Sequence, residues 1–402
     1  MASFDLTQKY EFSSSAKRWA IIMILLGIAT VAFGFMSGEA DRTFANLLLN
    51  SYYMTGICVA GLFFIAVQFV ANAGWSTSLI RVPSAFSTVL PWAGLILVAV
   101  VASGLATGHL YQNWANPALT DHNSPEFSEL ISGKSGYLNT PFFMIRVVGF
   151  LLVWSLFMRV LRKYTLNEDL VGGLVNYNKS IKVSAIFLVV FGFTSAIFAF
   201  DIIMSLEAKW FSTMFAWYNF AALWVCGLST MALTIILLKE KGYFGWVNES
   251  QMHDLGKFIF AFSIFWTYVW FSQFLLIYYA NLPEESIYFV ERWTDHYFIW
   301  FCLNIVINFV APVLILMSRD SKRNFKMMKI VTIIILCGHW LDYYMMIMPG
   351  TMGEKSGFGI IEIGTTVGFI GTFVYLMLSS LSRVPLVPKN HPFLNESLHH
   401  EI

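Results

Sequence analysis

Charge is scarce in this chain. Asp, Glu, Lys and Arg make up 12% of its 402 residues, about half the share of a water-soluble domain. That excludes disorder, which needs high charge and few apolar groups, and it excludes a water-soluble enzyme. The net charge of +1 offers no basic face to nucleic acid. Cysteine is scarce too. Cys58, Cys226, Cys302 and Cys337 sit singly in apolar runs. There is no disulfide scaffold, no CxxC or CxxCH, and no iron–sulfur spacing. A bis-histidine haem b is excluded as well, because no two imidazoles match in depth. His109 falls near the end of one span and His339 near the middle of another, while His253 and His296 lie at opposite interfaces. No metal-ligand set is visible.

What is present is hydrocarbon. Hydrophobic residues make up 57% and aromatics 17%, with a mean hydropathy of +0.65. A membrane helix needs about 20 apolar residues, and ten runs qualify: Trp19–Ser37, Leu47–Val70, Ala85–Leu110, Pro141–Met158, Val183–Ile203, Trp210–Leu238, Phe258–Leu282, Tyr297–Ser318, Ile330–Met348 and Phe358–Leu381. The first reads as a span and not as a cleaved signal, since no A-x-A site follows it. The fold class is therefore all-α and polytopic.

The basic residues predict the orientation. Nineteen of the 25 Lys and Arg fall in the N-terminus, the C-terminal tail and the loops after even-numbered spans. Five, namely Arg42, Lys134, Lys209, Arg292 and Lys355, fall after odd-numbered spans, and Arg146 lies within the fourth. By the positive-inside rule both termini are cytoplasmic. The longest outer loop, about Tyr111–Asn139, and a second one with Glu284, Glu285 and Glu291 either cap a site or merely connect. Residues 382–402, with Pro385, Pro388 and Pro392, predict an extended cytoplasmic tail. Residues 1–18 predict a cytoplasmic N-terminus.

Ionisable groups within spans are costly and face the bundle interior. At about 1.5 Å per residue, Arg146 lies about 9 Å and Asp201 about 8 Å below the outer surface. His109 ends the third span on the same side. The three predict an outer polar cluster, either a pocket or an Arg146–Asp201 ion pair. Asp342 and Glu362 lie about 10 Å and 8 Å down in the last two spans. His339 is on the Asp342 face, one turn nearer the midplane. Two carboxylates and an imidazole cannot all stay charged in a low dielectric, which predicts a proton relay or a satisfied structural pair. His253, Asp254 and Lys257 open the seventh span as a possible proton entry or as ordinary helix-end groups. Between the two levels, Thr267, Tyr268, Gln273, Asn304 and Asn308 would order water or tie helices together.

One short pattern recurs. Phe200-Asp201-Ile202-Ile203-Met204 and Leu341-Asp342-Tyr343-Tyr344-Met345 both end inside-to-outside spans, four helices apart. That predicts two parallel four-helix bundles, spans 2–5 (about 47–206) and 6–9 (about 210–348), with spans 1 and 10 outside, all within 19–381.

Lys134-Ser135-Gly136-Tyr137-Leu138-Asn139-Thr140-Pro141, Asp201-Ile202-Ile203-Met204-Ser205-Leu206-Glu207 and Asp254-Leu255-Gly256-Lys257 resemble the NrfD/polysulfide-reductase-like membrane subunits. Gly338-His339-Trp340-Leu341-Asp342 and the tail His391-Pro392-Phe393-Leu394 are similar to the smaller such subunit of bacterial alternative complex III, a quinol:cytochrome c oxidoreductase. The resemblance implies a bacterial cytoplasmic-membrane protein that holds no redox cofactor itself. It implies partners: a sister quinol-binding subunit, an iron–sulfur subunit and multihaem cytochrome c subunits. For this chain it implies scaffolding, with a proton pathway or a second quinone-type pocket. Its site positions would be His109, Arg146, Asp201, His339, Asp342 and Glu362. A ten-helix secondary transporter is the alternative. Its broken-helix signature is missing from spans 6 and 7, which are long and free of proline.

Overall fold

The computed structural model describes residues 7–401. Among them are ten helices long and apolar enough to cross a membrane, and no β-strand. They are α1 (Ser14–Met36), α2 (Ala40–Val70), α3 (Arg81–Thr107), α4 (Thr140–Val171), α5 (Leu174–Ile202), α6 (Met214–Lys239), α7 (Glu249–Ala280), α8 (Asp295–Leu316), α9 (Phe325–Lys355) and α10 (Ile360–Leu381). The chain is an all-α, multi-pass membrane protein. Most helices outrun their apolar runs, because polar residues continue the turn beyond the hydrocarbon. The sequence starts several of them with clear caps. The Asn139 side chain accepts from the Phe142 N–H at 3.0 Å, with Pro141 in the first turn of α4, where its missing N–H costs nothing. Asn248 and Gln251 cap α7 reciprocally at 3.0 and 3.1 Å.

Three helices, α2, α6 and α9, bury most of their length. On the first side, α2 packs against α3 and α5, and α4 against α3 and α5. On the second, α6 packs against α7 and α9, and α8 against α7 and α9. The two four-helix groups meet where α2 touches α6 and α9 and where α5 touches α6. Outside them, α1 lies along α10, and α10 rests on α2 and the start of α3. Apolar side chains such as Leu152, Leu156, Val189 and Phe193 point outward, which is favourable where the solvent is lipid.

Both chain ends lie on one face, here the terminal face. The Leu386 N–H donates to the Gln8 carbonyl at 3.0 Å. Residues 1–6 of the expected N-terminal segment, and Ile402, lie outside the described residues. The tail is not extended: residues 382–393 run as turns and bends with one bridge, Lys9 to Pro385, and Leu394–Leu398 then forms one helical turn. It ties the two bundles together. The Lys389 N–H donates to Asp169 of α4 at 3.1 Å, and Gln251 of α7 donates to the Ser397 carbonyl at 2.7 Å.

One irregularity lies mid-membrane. Within α8, residues Val306–Val310 form a π-helix. Pro312 follows, and without an N–H it cannot bond the carbonyl one turn back. The widened turn is the kind of bulge that accompanies functional sites.

Candidate functional site

Asp342 on α9 is wholly buried, and the three other helices of the second bundle converge on it. Tyr218 of α6 donates its hydroxyl to Oδ1. Trp266 of α7 donates its indole N–H to Oδ2 at 2.9 Å, and Asn304 of α8 donates to Oδ1 at 2.9 Å. Asn308 in the π-helix donates to the Asn304 Oδ1 at 2.6 Å. Gly338 leaves room for this chain, because a Cβ there would stand 2.3 Å from the Asn308 Oδ1. Every donor to the carboxylate is neutral, and no Lys or Arg pairs with it among the described residues. Arg292 reaches the nearby Met345 carbonyl at 2.9 Å, but its charge is matched by Glu207 at 2.6 Å.

His339 completes the site. It is wholly buried, and neither ring nitrogen has a hydrogen-bond partner. Its Nδ1 is 3.6 Å from the Asp342 Oδ2, just past hydrogen-bond reach. The ring stands edge-on to Trp266, with centroids 5.4 Å apart. The carboxylate and the imidazole therefore face each other with no Lys or Arg beside them among the described residues.

The other expected residues fall into separate groups. Arg146 of α4 and Asp201 of α5 form a buried bidentate pair, Nε–Oδ2 at 2.7 Å and Nη2–Oδ1 at 2.9 Å. Tyr137 donates to the same carboxylate at 3.0 Å, and the guanidinium stacks 3.8 Å above its ring. Burial and the Asp201 charge push the Tyr137 phenol up to about 12, so it stays a donor. This is a closed ion pair. His109 does not join it. Its Nδ1 is 2.6 Å from Asp41, and its ring stacks on Phe44, because the helix ends at Gly108 and turns the imidazole toward α2.

Nor does Glu362 share a partner with Asp342. It takes Arg42 bidentately at 2.7 Å and 2.7 Å, accepts from Asn46 at 2.9 Å, and caps α10 through the Gly359 N–H. Glu362 is therefore closed in an ion pair with an arginine, and His339 and Asp342 stand together without it. At the terminal face, Asp254 binds Lys257 at 2.6 Å and His400 of the tail at 2.5 Å, while His253 is buried beside it with Nδ1 unpartnered. Buried Ile259, Met328, Val331 and Ile335 fill α7 and α9 between this group and Asp342. The expected polar file is incomplete. Tyr268 is 64% exposed and faces outward, Thr267 bonds back to the Ser263 carbonyl, and Gln273 accepts from Ser212 at 3.2 Å.

The sequence reading missed Tyr218, Trp266, Arg42 and the Arg292–Glu207 pair. Only Arg292 and Glu207 carried a signal, as opposite charges in the connections after α7 and α5. No family model matches the chain, and no curated protein is similar to it.

Proposed function

We propose that this chain is an integral membrane subunit of a quinol-oxidising respiratory complex, in which it scaffolds the assembly and relays protons through Asp342 and His339. The observation that carries this reading is a wholly buried carboxylate with neutral donors only, next to a wholly buried imidazole with no partner. A mere scaffold would place apolar residues there at less cost. The resemblance to alternative complex III supplies the setting: a bacterial cytoplasmic membrane, cytoplasmic termini, and partner subunits carrying quinol, iron–sulfur clusters and haem c. A second quinone-type pocket belongs to the same proposal.

The test is Asp342→Asn in the purified complex. It should assemble and lose proton movement coupled to quinol oxidation in vesicles. Normal proton-to-electron stoichiometry would refute the relay. Co-purification addresses the setting, since haem-bearing partners are expected. The π-helix of α8 is the one feature that favours the transporter alternative. A chain that purifies alone and moves a solute would establish that reading instead. Cysteines placed at Asn123, in the connection after α3, and at Asp320, in the short helical turn Arg319–Arg323 after α8, test orientation. Only the first should react with an impermeant reagent added from outside.

A further inference from the structure

A crevice of about 790 Å³ separates the α1–α10 pair from the second bundle. It exists because α1 and α10 are locked to each other. Gly27 and Gly368 meet backbone to backbone, and a Cβ on Gly27 would stand 2.4 Å from the Gly368 Cα. Such small-residue contacts hold membrane helices close. The pair rests on α2 and the start of α3, so its flank toward α6 and α9 stays open. Wall residues from Phe358 to Leu378 follow α10 for roughly 30 Å at its rise per residue, which is the thickness of the hydrocarbon core.

The walls offer hydrocarbon. Most of their polar groups are already engaged, the Thr366 hydroxyl excepted. Trp340 donates to Asn50 at 3.1 Å, Tyr53 donates to the Leu336 carbonyl at 2.8 Å, and Glu362 is held by Arg42. The rim at the terminal face differs. Lys241 lines it, is exposed, and has no acidic partner among the described residues. Its sequence neighbour Glu240 is taken by Lys329 at 2.8 Å. Trp19, 64% exposed, lies at the same end, as interface aromatics do. An apolar slot of membrane length with one free ammonium at its mouth is complementary to a single kind of molecule.

We propose that the crevice binds an anionic phospholipid, with its phosphate on the Lys241 ammonium and its acyl chains between α10 and the second bundle. This does not rest on the proposed respiratory role. The test is native mass spectrometry of the purified protein, with any partners it brings, after exchange into an equal mixture of phosphatidylglycerol and phosphatidylcholine. The intact protein should retain phosphatidylglycerol about fivefold over phosphatidylcholine, the effect of one lysine near a headgroup. Lys241→Gln should erase the preference, and Lys241→Arg should keep it. Lys163→Gln, which removes an exposed cation of α4 outside the crevice, should leave it unchanged. Ile370→Trp, which fills the slot, should remove the bound lipid. Equal retention of the two lipids by the intact protein, an unchanged preference in Lys241→Gln, or an isoprenoid found in place of phospholipid would each overturn the proposal.

Discussion

The two bundles carry the same short pattern around Asp201 and Asp342, in the last turn of α5 and midway along α9, and use it differently. In the first, the preceding helix supplies Arg146, and the carboxylate is closed in a bidentate pair. In the second, the preceding helix supplies Asn304, and Tyr218 and Trp266 fill the remaining directions. Burial is alike, so the partner decides the role. A buried carboxylate with an arginine is fixed as an anion and holds two helices together. A buried carboxylate with neutral donors leaves its charge uncompensated, and a proton can change it.

Removing the arginine should have the largest effect. Arg146→Met strands a buried anion and should cost about 3–5 kcal/mol of stability, read from thermal or denaturant unfolding. Adding Asp201→Leu should recover most of that loss. A double variant no more stable than the single one would show that the pair is no tie. Next comes the same chemical change at both sites. Asp201→Asn leaves Arg146 buried without its counter-charge, at about 3 kcal/mol. Asp342→Asn loses only part of a neutral hydrogen-bond set, at about 1 kcal/mol. Equal costs would erase the distinction between the bundles.

A smaller effect, about 1–2 kcal/mol, is expected for Gly338→Ala, which crowds Asn308 and should break its bond to Asn304. A crystal or cryo-EM structure of the variant with that bond intact would contradict the packing argument. The smallest concerns His339→Leu. Since neither ring nitrogen is bonded, the change should stay within about 0.5 kcal/mol or stabilise, while impairing proton movement. A large loss of stability would mean that the imidazole is structurally bonded.

The spans were legible because lipid leaves the backbone no choice but long apolar helices. The Arg146–Asp201 pair was legible because opposite charges at one depth have few other places to go. Arg42 was not. It precedes its apolar run and reads as a loop residue, whereas α2 in fact begins at Ala40 and its long side chain reaches Glu362. That hidden arginine is why Glu362 looked like a relay member. Tyr218 and Trp266 were hidden for another reason. Aromatics in an apolar run look like core or interface residues until a structure shows what their single polar atom touches. The π-helix of α8 was not legible either, and only the fold shows Asn308 within it bonded to Asn304, which donates to Asp342.

The most direct test of the contrast is the infrared difference spectrum of the membrane-reconstituted protein on a pH jump, in the carboxylic-acid stretching region. In a Glu168→Gln background, which removes a second wholly buried carboxyl with neither oxygen bonded, a buried carboxyl that gains and loses a proton should give a band, also with the Arg146→Met, Asp201→Leu double change, and no band once Asp342→Asn is added. A band that persists in Asp342→Asn, or one that vanishes only with Asp201, would contradict the assignment of Asp342 as the proton-exchanging carboxylate.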